Sequence, residues 1–308
     1  MSKSLIKNKK NLHLRRELPY HLMLIPAVLF TVIFSYIPMA GIIIAFKKYS
    51  FKLGFFKSPN VGLTYFKRFF SDTSLPTIIG NSFALGVLNL VFGTSAAILF
   101  ALLLNELTGL RFKRFIQTVS YFPHFISYVT VVVILQAFLT SDGLLNQFLL
   151  SVGLADKAIL FLGEPKYYWA LVTLTAVWKE TGWGAIIYIS AITGIDQSMY
   201  ESAKIDGAGR WKCMWNITLP SILPTISLML ILAVGGILSV GFDPAMLLAN
   251  SLTMPKARVL SYYVYTTGIV SGDFSYSTAL SLVTSLFSAT FMLIGNLISK
   301  KMTGEGIL

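Results

Sequence analysis

The sequence predicts an all-α, polytopic membrane protein of six spans, on three observations. Hydrophobic residues make up 55% of the chain and charged residues only 12%, where a soluble domain carries about 25% charged residues. The charges are clustered. No Asp, Glu, Lys or Arg lies between Glu17 and Lys47, Asp72 and Glu106, Arg114 and Asp142, Lys212 and Asp243, or Asp273 and Lys300. Each of these gaps exceeds the ~20 residues a helix needs to cross a hydrocarbon core. A sixth apolar stretch, 167–195, is interrupted only by Lys179 and Glu180.

In chain order, residues 1–19 read as a basic cytoplasmic tail lying along the inner membrane surface, with Lys3, Lys7, Lys9, Lys10, Arg15 and Arg16. The apolar run that follows is too long for a cleavable signal, and no small-residue cleavage site follows it. Residues 20–300 form the membrane domain, with spans at about 20–46, 76–104, 115–139, 168–192, 219–240 and 277–298. Residues 301–308 form a second cytoplasmic tail.

With the N-terminus inside, Lys and Arg number fourteen on the inner side and ten outside. The bias agrees with the positive-inside rule, although Lys47, Lys48, Lys52 and Lys57 oppose it. The Phe-rich connection between the first two spans is expected at the bilayer interface. Val259 to Val270 is too short to span and reads as a re-entrant or surface helix. The net charge of +12 is assigned to anionic lipid headgroups rather than nucleic acid.

The segment 196–220 carries the functional signal. Ser198 and Glu201 have capping-box spacing, which predicts a short helix beginning near Met199. Asp206-Gly207 ends it, because glycine accepts the left-handed conformation. A second short helix carries Trp211, Met214 and Trp215, and Pro220 stands at the start of the fifth span. Two short helices with a glycine joint, held between two spans, form a lever.

This segment resembles the EAA motif of binding-protein-dependent ABC importer permeases. Glu201, Ala203, Asp206, Gly207, Ala208, Ile217, Leu219 and Pro220 match that motif. Ser202 replaces the usual first alanine, and Met214 stands where an aromatic is common, beside Trp215. Asn60-Val-Gly-Leu-Thr-Tyr-Phe66, Trp178-Lys-Glu-Thr-Gly-Trp183, Gly241-Phe-Asp-Pro244 and Tyr263-Val-Tyr265 are similar to the polysaccharide branch of the carbohydrate permeases. The resemblance implies a type I importer permease fold with a cytoplasmic coupling helix at about 198–206. It implies coupling to an ATPase through Tyr200, Glu201, Ser202, Ala203, Asp206, Gly207, Ala208 and Arg210. It also implies a heterodimer with a second homologous permease, two copies of the ATPase and an extracellular solute-binding lipoprotein. The cargo implied is an oligosaccharide or glycan fragment, imported across a bacterial cell membrane.

This chain has no Gly-Lys pair and therefore no P-loop. ATP and its Mg²⁺ belong to the partner ATPase, and no cofactor is expected here. No catalytic cluster or metal-ligand spacing is found, and the single Cys213 excludes a disulfide framework. A non-sugar ABC substrate is the alternative. An ion-coupled carrier would need intramembrane carboxylates, and only Glu180 qualifies.

Candidates for the substrate path are Trp178, Glu180, Trp183, Asn89, Asp243, Asn250, Tyr262 and Tyr265. The tryptophans could stack on the apolar faces of sugar rings, or anchor at the bilayer interface. Lys179 and Glu180 could line a cavity or pair with a partner subunit. Being adjacent on a helix, they should face different directions. Asn81 and Asn89, eight apart, should share a face and bond between helices. His124 is expected to pack or to form a hydrogen bond.

Overall fold

The computed structural model describes residues 2–303, with side chains placed for residues 17–301. The side chains of the basic tail and most of the C-terminal tail lie outside the described residues. The described backbone is mostly helical, without a strand.

The first helix, α1 (Ser2–Thr31), continues through a wide π turn at Val32–Tyr36 into a tight 3-10 segment, Ala40–Phe46. A short amphipathic helix, α2 (Thr64–Ser71), follows in the first connection. The second membrane element is α3 (Leu75–Leu88) joined by a π turn at Asn89–Gly93 to α4 (Thr94–Asn105).

The expected third span, 115–139, is not one helix. It divides into α5 (Leu110–Tyr121) and α6 (Tyr128–Leu139), separated by a 3-10 turn at Phe122–Phe125. The cause is local. Pro123 has no amide to continue the helical ladder, and Ser127 restarts it, accepting from the Thr130 amide at 3.2 Å as the N-cap of α6. The apolar stretch then runs beyond Leu139 through α7 (Leu144–Ser151).

The fourth element, α8 (Pro165–Thr193), is a continuous 29-residue helix that opens on a proline. The coupling region holds α9 (Gln197–Ile205) and α10 (Arg210–Cys213), the latter running on through a π turn at Met214–Thr218 to Ser221. Beyond a break at Ile222 lies α11 (Leu223–Gly235), bent 57° from the arm before it. The straight part of the expected fifth span, 219–240, therefore begins four residues later, at Leu223, and its entry is angled. Short helices α12 (Phe242–Leu247) and α13 (Leu260–Tyr265) precede the last long helix, α14 (Phe274–Thr303). The expected surface or re-entrant helix is α13 and its π turn Thr266–Val270, which bury Leu260, Tyr263 and Thr267.

Among the described residues, four helices are long and apolar enough to cross a bilayer: Glu17–Phe46, Leu75–Asn105, Tyr128–Ser151 and Phe274–Lys301. The bent pair around Ile222 makes a fifth. α8 has the length, but the polar run Lys179-Glu180-Thr181 in its middle lowers its hydropathy.

Packing is organised by α8, which lies along α4, and by α11, which lies along α14. One buried cluster joins Ala101, Leu102, Ala185, Tyr188, Met214 and Ile222 near the coupling region. A second joins Phe69, Leu75, Ile78, Tyr263, Tyr276 and Leu280 at the other end, and a third sits between them around Leu85, Val172 and Val259. Two glycines set the closest approaches. A Cβ on Gly182 would stand 2.0 Å from the Ser120 carbonyl oxygen, and one on Gly86 would stand 2.1 Å from that of Ile237. α1 is the exception to this packing, because none of the most apolar part of Glu17–Phe46 is buried.

Candidate functional site

The coupling loop is built from two backbone devices. The N-cap of α9 is Asp196, whose carboxylate accepts from the Ser198 amide at 2.9 Å. This corrects the expected Ser198–Glu201 capping box: the helix begins at Gln197, two residues earlier than expected, because the Asp196 carboxylate reaches the free Ser198 amide and caps the helix there. The same bond holds the Asp196 carboxyl below the ordinary carboxylate range. At the other end Gly207 has φ +76°. Its amide donates to the Lys204 carbonyl at 3.0 Å, and the Ala208 amide donates to the Ala203 carbonyl at 2.9 Å. These two bonds form a Schellman stop, with the helix end at Asp206-Gly207 as the sequence predicts.

Glu201, Ser202, Asp206 and Arg210 are exposed on this loop, while Ala203 and Ala208 are half-buried. Tyr200 turns the other way. Its hydroxyl meets Thr218 Oγ1 at 2.9 Å and its ring packs against the buried cluster below. α9 is thereby tied to the arm that leads into α11. Beneath it lies a recess of about 670 Å³ lined by Asn105, Glu106, Tyr200, Lys204, Arg210 and Cys213.

A second cavity, of about 360 Å³, opens between the membrane elements and is lined by Asn89, Tyr128, Val172, Glu180, Ser239 and Asp243, among others. The structure thus brings together three of the predicted path residues, Asn89, Glu180 and Asp243. Tyr262 and Tyr265 stand one row back, with their rings 6.5 and 5.4 Å from that of Phe242, itself on the cavity wall. Trp178 and Trp183 do not line it. Asn250 serves a turn: its Oδ1 accepts from the Leu252 and Thr253 amides, and its Nδ2 donates to the Leu162 carbonyl.

Asn81 and Asn89 part company, contrary to the expected shared role. Asn81 donates to the carbonyls of Pro255 and Arg258 at 2.8 and 3.1 Å. Asn89 Oδ1 is buried with no partner among the described residues, in the π turn facing the cavity. π turns within helices are frequent at functional sites. Tyr128 and Ser239 escaped the sequence reading. The only signal for Tyr128 was its position next to the helix-restarting Ser127.

Lys179 and Glu180 also differ from expectation, because both converge on His124. The buried Lys179 Nζ donates to the carbonyls of His124 and, at 3.4 Å, Pro123. Glu180 Oε2 lies 2.7 Å from His124 Nδ1, and the imidazole stacks on Trp183 at 4.4 Å between centroids. The two charged ends also come within 3.6 Å of each other, so adjacent residues of α8 pair beside His124 instead of facing apart.

Comparison with known proteins fits this geometry. The model of the family described as "Binding-protein-dependent transport system inner membrane component" matches residues 90–304. The chain is 42% identical over 294 residues to Protein LplB of Bacillus subtilis (strain 168), covering 96% of this chain and 92% of that one. It is 41% identical over 287 residues to the polygalacturonan/rhamnogalacturonan transport system permease protein YteP of the same organism, covering 93% and 89%. In structure it is similar to a chain from the crystal structure of a bacterial ABC transporter involved in the import of the acidic polysaccharide alginate. That match has a TM-score of 0.86 and 33% identity, and covers 96% of this chain and 99% of that one. Multi-pass apolar helices around a capped, exposed loop, and a match through most of the chain, lead to one conclusion: the protein belongs to the binding-protein-dependent transport system inner membrane components, with the type I ABC importer permease fold.

Proposed function

We propose that this chain is the permease subunit of a sugar-importing ABC transporter, moving an oligosaccharide or glycan fragment inward on ATP hydrolysed by a partner. The observation that carries the coupling role is α9: an exposed helix, stopped at Gly207 and tied by Tyr200 to the arm that enters α11. A groove on an ATPase can receive α9 together with Glu201 and Arg210. Movement of α9 then acts on α8 and α11, which flank it. The sugar assignment is supported by relatives named for polygalacturonan/rhamnogalacturonan and alginate. It is also supported by a cavity whose walls offer hydrogen-bonding groups at Asn89, Tyr128, Ser239 and the two carboxylates.

In this proposal α8 is the sixth span, its polar middle shielded by the elements around His124, and both termini face the cytoplasm. The working assembly contains a second homologous permease, two ATPase copies and an extracellular solute-binding lipoprotein. A ligand-bound periplasmic protein accompanies the alginate transporter in a second crystal structure, similar to this chain at 33% identity. The principle is a two-state bundle biased by the partner's nucleotide state. Sugar uptake and ATPase activity of the assembled importer test it with Gly207→Pro and Glu201→Lys. Loss of uptake with retained complex assembly is expected. Full coupling in both variants overturns the proposal.

A further inference from the structure

The first connection opposes the charge rule that orients the rest of the chain. Residues 47–71 carry six basic residues and no acidic one. Two of the six are engaged: Lys47 Nζ donates to the Phe55 and Phe56 carbonyls at 2.9 Å, and Arg68 pairs with Asp273 at 2.6 Å. Lys48, Lys52, Lys57 and Lys67 are exposed and make no ion pair among the described residues.

Of the six phenylalanines in the same connection, Phe69 is buried, but three are turned well outward. Phe51, Phe56 and Phe70 are 75%, 89% and 80% exposed, and Leu63 is 58% exposed. Loose folding does not explain this. The Lys48 amide donates to Pro59 at 2.8 Å, and Val61 donates to Phe46 at 2.9 Å. Ser58 Oγ accepts from the Ser50 amide and donates to Gly54, while Ser275 Oγ ties the Tyr49 amide and the Lys47 carbonyl to the last long helix. A segment tied down this closely, with rings turned out between lysines, suits a boundary that is apolar on one side and anionic on the other. Aromatic side chains favour the headgroup level of a bilayer, and basic side chains beside it are drawn to anionic headgroups.

We propose that residues 47–71 form an interfacial collar that seats Phe51, Phe56 and Phe70 in the outer leaflet and binds anionic lipid headgroups through Lys48, Lys52, Lys57 and Lys67. The proposal rests on the orientation given above, with this connection on the outer side. It also accounts for lysines standing where the positive-inside rule does not put them: they are held by headgroups, not left over from topology.

The test uses the assembled importer in vesicles of phosphatidylcholine, alone or mixed equally with phosphatidylglycerol. A nitroxide is attached at Phe56→Cys (the native Cys213 is buried), and its collisions with oxygen and with a water-soluble nickel chelate are compared. Oxygen-dominated collisions are expected. Spin-labelled phosphatidylglycerol should associate severalfold more than spin-labelled phosphatidylcholine, and K48Q/K52Q/K57Q/K67Q should bring the two to parity. Nickel-dominated collisions, or an unchanged lipid ratio in the quadruple variant, overturn the proposal. So does protection of the label only on adding the solute-binding protein, which would make the collar that protein's seat. Modification of Phe56→Cys by a membrane-impermeant thiol reagent added to whole cells reports the side independently. An inner location would overturn the orientation, whatever the uptake measurements show.

Discussion

Lys179 donates from α8 to the carbonyl oxygen of His124, in the turn that breaks the third membrane element. A buried cation on one helix thus closes a gap in another. Pro123 and the turn after it leave carbonyls without helical amides, and in an apolar setting such groups need a partner. Lys179 supplies it, and Glu180 adds a second hold through the imidazole.

Removing that cation should cost stability rather than recognition. Lys179→Met keeps the stem and deletes the donor, leaving the His124 carbonyl without that partner at about 1–3 kcal/mol, while the Pro123 carbonyl keeps the Ile126 amide at 3.1 Å. Thermal unfolding of the assembled complex in detergent should shift down by a few degrees. An unchanged midpoint would mean that water or the neighbouring subunit satisfies the His124 oxygen instead.

Gly182 is predicted to tolerate no side chain. A Cβ there would fall 2.0 Å from the Ser120 carbonyl oxygen, and backbone cannot step aside as a flexible side chain can. Gly182→Ala should force α5 from α8 at an overpacking cost of about 1–3 kcal/mol, seen as reduced yield of folded protein. Gly184→Ala, whose Cβ would meet only the Ala97 side chain at 3.4 Å, should be much milder.

The cap of α9 gives a test with opposite expectations for neighbouring residues. Asp196→Ala should speed amide exchange through the first turn of α9 severalfold, because the Ser198 amide loses its acceptor. Ser198→Ala should leave exchange close to the parent. The reverse order would restore the capping box that the sequence suggests.

Acid should loosen the connection between the first loop and the last helix. Asp72 is partly buried, which by itself raises a carboxyl. Hydrogen bonds from Tyr263 at 2.6 Å, from Ser74 and from Tyr276 at 3.0 Å more than offset this and hold it at about 2. The folded value lies below the unfolded one, so this stabilisation is present above pH ~4 and is lost as pH falls toward 2. Thermal midpoints measured across that window should fall less steeply in Asp72→Asn than in the parent.

The membrane character of the fold was legible because charge-free runs answer to bilayer thickness alone. The Gly207 stop was legible because left-handed backbone selects glycine. What escaped depended on competition or on distance. Asp196 and Ser198 both offer a cap, and only geometry decides which carboxylate or hydroxyl reaches the amide. Pro123 and Ser127 were both visible, yet a break within an apolar run leaves its hydropathy unchanged. Asn81 and Asn89 share a helical face on paper, but two turns apart they meet different neighbours, the Pro255 and Arg258 carbonyls for the first and the cavity for the second. Tyr128 joined the cavity only because α6 restarts where it does.

The 57° bend at Ile222 has a mechanical meaning. Two rigid arms meeting at such an angle make a bell crank. A push delivered along the arm that ends at Ser221 reaches α11 partly as a thrust and largely as a sideways swing. A straight helix would pass the same push on as a piston stroke, driving α11 along its own axis. With the corner, the proposed push from α9 would reach α11 chiefly as a swing across that helix's own axis.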